Sequence, residues 1–217
     1  MNKKQLEQFQ QLSDNFKRYT KEITGKDPAV IPVFNNDLDL FDRSSDIRYI
    51  VVADNPGKEE AEENRYLVGL AGKQARNFFE HNELVEDFTK EVLVLNKTCI
   101  YTNSTSDLRK LHNNELFAES QKFMAELAYD FHKLLSCELW IVGCSEIKPR
   151  GIFSVFGNTL TEFYSKDKGD ALREWVLCYK HFSYGNFVHD LKKKHSDDIF
   201  NRLKSLGNEM RRKTFGW

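Results

Sequence analysis

Four polar clusters hold most of the side chains in this chain that could do chemistry. Asp54-Asn-Pro-Gly57 sets a carboxylate and a carboxamide beside two turn formers. Asn96-Lys-Thr98 adds a second carboxamide, Gly143-Cys-Ser-Glu146 a thiol, and His181-Phe-Ser183 an imidazole next to a hydroxyl. The Asn55 carboxamide can orient a water molecule but cannot take its proton. Asp54 has the basic group that Asn55 lacks. Neighbouring side chains on a strand point to opposite faces, however, so the two are not expected to share a site unless the turn redirects one of them. Asn-Pro and Pro-Gly are also ordinary turn dipeptides, which alone would explain the first cluster. Ser145, Glu146 and Ser183 read more readily as helix caps than as catalytic groups.

Each cluster follows a short apolar run: Arg48–Ala53, Glu91–Leu95, Glu138–Val142 and Glu174–Tyr179. Runs of this length, rich in Val, Ile and Leu and separated by helical segments, read as buried parallel strands. Apolar residues spaced three or four apart predict helices over residues 2–24, from about Ala71 to Asn82, and over Glu115–Leu135. Further helix is expected within Ile147–Tyr164 and within Val188–Met210, as one helix or a pair. Residues 103–111 read as a polar loop and Lys166–Asp170 as a turn. Strand–helix alternation implies right-handed crossovers, hence an α/β fold: a three-layer α/β/α sandwich on a central, mainly parallel four-stranded sheet. Ligands of such sheets bind past the carboxyl ends of the strands, where the polar clusters meet.

The chain has 217 residues, a length that suits one domain spanning 1–217; no repeat or linker divides it. No segment approaches the roughly 18 apolar residues that a membrane helix needs. The N-terminus has no apolar core, so no secretory leader is expected, and the four cysteines read as reduced, packed thiols of a cytoplasmic protein. Only Cys144 follows a strand into a loop. Net charge is −1, yet from Lys180 onward nine Lys or Arg face four Asp or Glu, with clusters at 192–194 and 211–213. A locally basic end suits phosphate attraction, although basic runs on a terminal helix are more often solvated surface.

In order and placement, these pieces resemble the uracil-DNA glycosylase superfamily across roughly residues 48–187. The resemblance lies in the combination of Asp54-Asn-Pro-Gly57, the loop Tyr66-Leu-Val-Gly-Leu-Ala-Gly72, Asn96 at a strand end and His181-Phe-Ser183. It implies that Asn55 holds the attacking water and that His181 stabilises the departing base, with Asp54, Pro56 and Gly57 around them. Asn96 would read the uracil edge, donating to O4 and accepting from N3–H. The pairs Val68-Gly69 and Ala71-Gly72 would wall the base pocket. Phe182, Ser183, Tyr184, Gly185 and Asn186 would form the loop that enters DNA. The chain departs from the pattern at Ala53, where Gly is usual, at Phe182, where Pro is usual, and at Leu67, where an aromatic stacks on the base. Phe34 or Tyr66 is then expected to supply the stack.

The iron–sulfur branches have a Cys-x-x-Cys before the first motif. No cysteine here precedes Cys99, so neither a cluster nor any other cofactor or metal is expected. The expected protein is a monofunctional, monomeric DNA glycosylase that acts on uracil or a related deaminated base flipped out of DNA. The alternative is a binding protein of the same fold that does not cut. A small-molecule nucleoside enzyme is a third reading, disfavoured because no glycine-rich phosphate motif is present.

Overall fold

The structure, a computed structural model, describes residues 1–166, 170–183, 186–194 and 198–217. Four strands, β1 (Tyr49–Ala53), β2 (Val92–Asn96), β3 (Glu138–Val142) and β4 (Val176–Tyr179), form one sheet in the order β2-β1-β3-β4. All three pairings are parallel. Every strand residue is buried except Glu138, at the start of β3. A strand covered on both faces has no solvated side and reads as a continuous apolar run.

The helices are α1 (Lys3–Ile23), α2 (Lys58–Glu63), α3 (Leu70–His81), α4 (Phe88–Glu91), α5 (Glu115–Leu135), α6 (Ser154–Lys166), α7 (Asp170–Arg173), α8 (Asn186–Lys192) and α9 (Ile199–Phe215). Strand order decides which face each one covers. The β1-to-β2 connection runs one way across the sheet; β2-to-β3 and β3-to-β4 run the other. Right-handed crossovers then place α3 on one face and α5 and α6 on the opposite one.

Side-chain contacts agree with that placement. Phe79 of α3 packs edge-on to Tyr49 of β1 (5.2 Å between ring centroids) and lies 4.7 Å from Trp140 of β3. On the other side α5 contacts β1, β2, α1 and α6, and Phe131 meets Phe9 of α1 at 4.9 Å. α9 packs along the edge strand β4. The result is the expected three-layer sandwich, with a sheet that is parallel throughout.

Some local expectations shift. The polar loop at 103–111 contains a 3₁₀ helix, Thr105–Leu111. The C-terminal helical region is a pair, α8 and α9. Most of the turn expected at Lys166–Asp170 lies outside the described residues. Arg211, in the last basic cluster, is 4% exposed, and its guanidinium bonds Arg173 O and Glu174. It serves α9 docking and is not available as surface charge. No helix among the described residues is long and apolar enough to cross a membrane.

Candidate functional site

Reversal of crossover direction creates a switch point between β1 and β3, and ligands of parallel sheets settle outside the carboxyl ends of such strands. A pocket of about 220 Å³ lies there. Its lining comes from four distant stretches: Ala53–Gly57 with Glu60, the Leu67–Ala71 loop, Thr102–Thr105, and His181. A larger groove of about 890 Å³ runs between α3, α8 and α9. Its walls are helix side chains and Phe182, with no strand-end polar group, so the smaller pocket is the chemical site.

Asp54 and Asn55 both line this pocket, which corrects the expectation from strand alternation. The strand ends at Ala53, and the Asn-Pro-Gly turn re-aims the residues beyond it. The Asn55 carboxamide is fixed at both ends. Its Nδ2 donates to Pro56 O (2.9 Å) and Thr102 Oγ1 (3.1 Å), and its Oδ1 accepts from Thr105 Oγ1 (3.0 Å). An inverted amide would set its oxygen against the Pro56 carbonyl, so one orientation wins.

Asp54 is held from the far side by Lys97, whose side chain is wholly buried. Lys97 Nζ bonds Asp54 Oδ1 (2.6 Å) and the β3 carbonyl of Val142 (2.5 Å), and it lies 5.0 Å from the centre of the Phe153 ring. Room for the carboxylate depends on Gly143. Its φ is +72°, and a Cβ there would come within 2.2 Å of Asp54 Oδ1. Two ions this buried are tolerated because they pair with each other and with backbone.

The opposite wall is built by a second carboxylate. Glu60 accepts a hydrogen bond from the backbone N–H of Gly57, and the N–H groups of Leu67 and Val68 also favour its charged form, so it faces both the first turn and the 67–71 loop. Burial raises its pKa, and the three donors offset part of that rise. Leu67 adopts a left-handed φ of +55°. Gly72 lies so close beneath it that a Cβ would fall 1.6 Å from Leu67 O. Only glycine admits that approach.

His181 closes the site from the end of β4. Its Nδ1 sits 2.7 Å from Ser183 Oγ and accepts the Ser183 backbone N–H at 3.3 Å. A backbone N–H can only donate, so Nδ1 is the acceptor and the neutral ring carries its proton on Nε2. Burial pushes the imidazole pKa down; Asp54 opposes that shift and Lys97 reinforces it. The ring is therefore neutral at neutral pH.

Other expected site residues lie elsewhere. Asn96 ends β2 in register with Ala53 but does not line the pocket; it is 1% exposed and neither carboxamide atom has a partner. Tyr66 is a core residue, its hydroxyl donating to Val33 O at 2.9 Å, and it does not reach the site. Phe34 is half-buried and outside the lining. Pro56 is buried, whereas Gly57 and Gly69 do line the pocket. Phe182, expected in a DNA-entering loop, is 4% exposed and packs in a cluster with Phe78, Phe79 and Phe187, so its ring belongs to the core and not to the surface. Ser183 orients His181. Tyr184 and Gly185 lie outside the described residues, as does the side chain of Asn186, the first residue of α8. Cys144 is buried and does not face the cleft; burial raises its thiol pKa.

Four residues of the site carried no expectation from sequence: Lys97, Glu60, Thr102 and Thr105. Lys97 had a signal, a lysine set between the apolar run ending at Leu95 and the pair Cys99-Ile100. Its partners come from β1 and β3, and no local pattern names them. Neither the protein-family models nor the curated proteins contain a match to this chain.

Proposed function

We propose that the chain is a DNA glycosylase that hydrolyses the N-glycosidic bond of uracil, or of a related deaminated base flipped out of DNA, and leaves an abasic site. The observation that carries this reading is the convergence of a neutral, Nε2-protonated His181, a locked Asn55 and the Asp54 carboxylate on one pocket of about 220 Å³. That space is below the usual range for cofactor and drug-sized ligands, as a single base requires. The ordered resemblance of residues 48–187 to uracil-DNA glycosylases supports the same reading.

Flipping costs a few kcal/mol and is cheapest for unpaired or mismatched bases. As the C1′–N bond lengthens, negative charge gathers on the base, and a hydrogen bond from His181 Nε2–H to its O2 stabilises the leaving group. Losing one such donor typically costs about 10²–10³ in rate. Ser183 keeps the imidazole in the donating tautomer. Asn55, clamped by Thr102 and Thr105, orients the water that attacks C1′. Asn96, buried beside Ala53 behind the pocket wall, would read the base only once that wall shifts; its donor and acceptor then match O4 and N3–H of uracil and mismatch cytosine. In this reading the protein works as a cytoplasmic monomer on DNA.

A second reading is a DNA-binding protein of the same fold that does not cut. It is favoured by one observation: the Asn96 carboxamide is not on the pocket wall. Alkaline strand cleavage of labelled oligonucleotides carrying one uracil, hypoxanthine or mismatched thymine separates the two. Cleavage by the wild-type protein that His181→Ala and Asn55→Ala cripple supports the glycosylase. Binding without base release from any substrate supports the second reading.

A further inference from the structure

The buried ion pair at the floor of the pocket is the strongest feature that the proposed chemistry has not used. We infer that Lys97 is a positioning residue that acts through Asp54, and that the Asp54 carboxylate, in place of the Asn55 carboxamide, is the catalytic anion facing the reacting sugar. This rests on the glycosylase reading and deepens it.

Three observations support the assignment. Asn55 is committed at both ends of its carboxamide, to Pro56, Thr102 and Thr105, and it carries no charge. Asp54 lines the same pocket with 15% of its side chain exposed. Its Oδ1 is taken by Lys97, and among the described residues nothing bonds its Oδ2. Finally, the surroundings are shaped for this carboxylate. Lys97 has no exposure of its own and anchors on Val142 O, while Gly143 leaves the space that any side chain would fill. Lys97 therefore fixes the carboxylate directly after β1 against the end of β3, at the switch point where the pocket lies.

The chemistry balances without a further reactant. A water oxygen attacks C1′ and its proton passes to Asp54 Oδ2. The C1′–N bond breaks and its electron pair leaves with the base, whose O2 accepts the hydrogen bond from His181. The base leaves as the anion and takes a proton from solvent, and Asp54 returns its proton to solvent. Before water adds, the sugar has cationic character, and a carboxylate beside it lowers that barrier as no carboxamide can. Lys97 keeps the carboxylate in place, its compact ammonium shared between Asp54 Oδ1 and Val142 O.

The test is single-turnover base release from a uracil oligonucleotide at saturating protein. Wild type, Asp54→Asn, Lys97→Met and the double variant are compared, with thermal unfolding and oligonucleotide affinity measured in parallel. Asp54→Asn and Lys97→Met should each slow release by about 10²-fold or more, the usual range for a positioned proton acceptor, with affinity near that of wild type. Removing one partner of a buried pair destabilises, and removing both relieves much of that loss. The double variant should therefore regain stability over Lys97→Met without regaining rate. Recovery of rate along with stability would overturn the inference, because it would make the pair structural only. So would a wild-type rate for Asp54→Asn, a comparison that stands even if Lys97→Met does not fold. A wild-type protein that releases no base from any substrate would remove the glycosylase reading and this inference together. An active wild type with an unaffected Asp54→Asn removes this inference alone.

Discussion

Replacing Asn96 with leucine should leave the fold as stable as before or more so, while base recognition is lost. Asn96 is 1% exposed at the end of β2, and its NH₂ and carbonyl both lack partners. A buried donor or acceptor left unpaired costs about 1–3 kcal/mol. Leucine keeps the branch at Cγ and removes both polar atoms. Its extra volume, at a packed strand end, returns about 1–3 kcal/mol of crowding. At mid-range values, two unpaired groups at about 2 kcal/mol each against about 2 kcal/mol of crowding leave about 2 kcal/mol of added stability, a rise in Tm of about 4–8 °C for a chain of this size. An asparagine with ordinary hydrogen bonds would move the other way. In the proposed reaction the same side chain meets the base through two neutral hydrogen bonds of about 0.5–1.5 kcal/mol each. Losing both should lower kcat/KM on uracil about 10- to 100-fold and narrow the gap between uracil and cytosine. Thermal unfolding and base release on matched uracil and cytosine oligonucleotides measure both effects. A variant that loses more than about 2 kcal/mol, or that keeps both rate and selectivity, would refute the idea that Asn96 is held unpaired for a ligand.

Gly72→Ala drives a methyl into Leu67 O, 1.6 Å from its ideal position. Because the obstacle is backbone, the cost should reach the upper end of about 1–3 kcal/mol for overpacking; denaturant unfolding would show it, and a loss under about 0.5 kcal/mol would mean that the 67–71 loop yields freely. Thr105→Val removes the donor that fixes Asn55 Oδ1, at 3.0 Å. Base release should drop about 10-fold for the loss of about 1–1.5 kcal/mol, with Tm nearly unchanged; an unaltered rate would show that Asn55 orientation is immaterial. His132 is wholly enclosed, its Nδ1 bonded to the Tyr164 hydroxyl, and burial lowers its pKa from 6.5 to about 4. The unfolded chain therefore binds this proton first. Stability should be full above pH 6.5 and fall by about 3 kcal/mol as pH drops through 4, and His181, lowered in the same direction, adds to the loss. Urea titrations at pH 7.5 and 4.5 of wild type and His132→Leu test the sign: the variant should lose much of the acid-side slope, and an equal slope would contradict it.

The four strands were legible in the sequence because a strand buried on both faces must be apolar at every position; Tyr49–Ala53 and Val92–Leu95 show this without any partner in view. Helices α1, α3 and α5 were legible for the parallel reason, their apolar residues recurring at helical spacing. So was the edge of the sheet where the polar clusters gather, since it follows from parallel strands alone. Strand order, and hence which clusters adjoin, belongs to pairings between residues some forty positions apart, such as Val51 with Val94. Tertiary structure alone turned Asp54 and Asn55 into one pocket, because a turn's direction is not set by strand alternation. It also drew Phe182 into the aromatic core, left Tyr66 with Val33 O, and brought Lys97 from β2 to a carboxylate after β1 and a carbonyl ending β3. The physical reason is common to all of these. Local periodicity reports whether a side chain is buried, whereas the partner that makes burial of a charge or an amide tolerable arrives from another part of the chain.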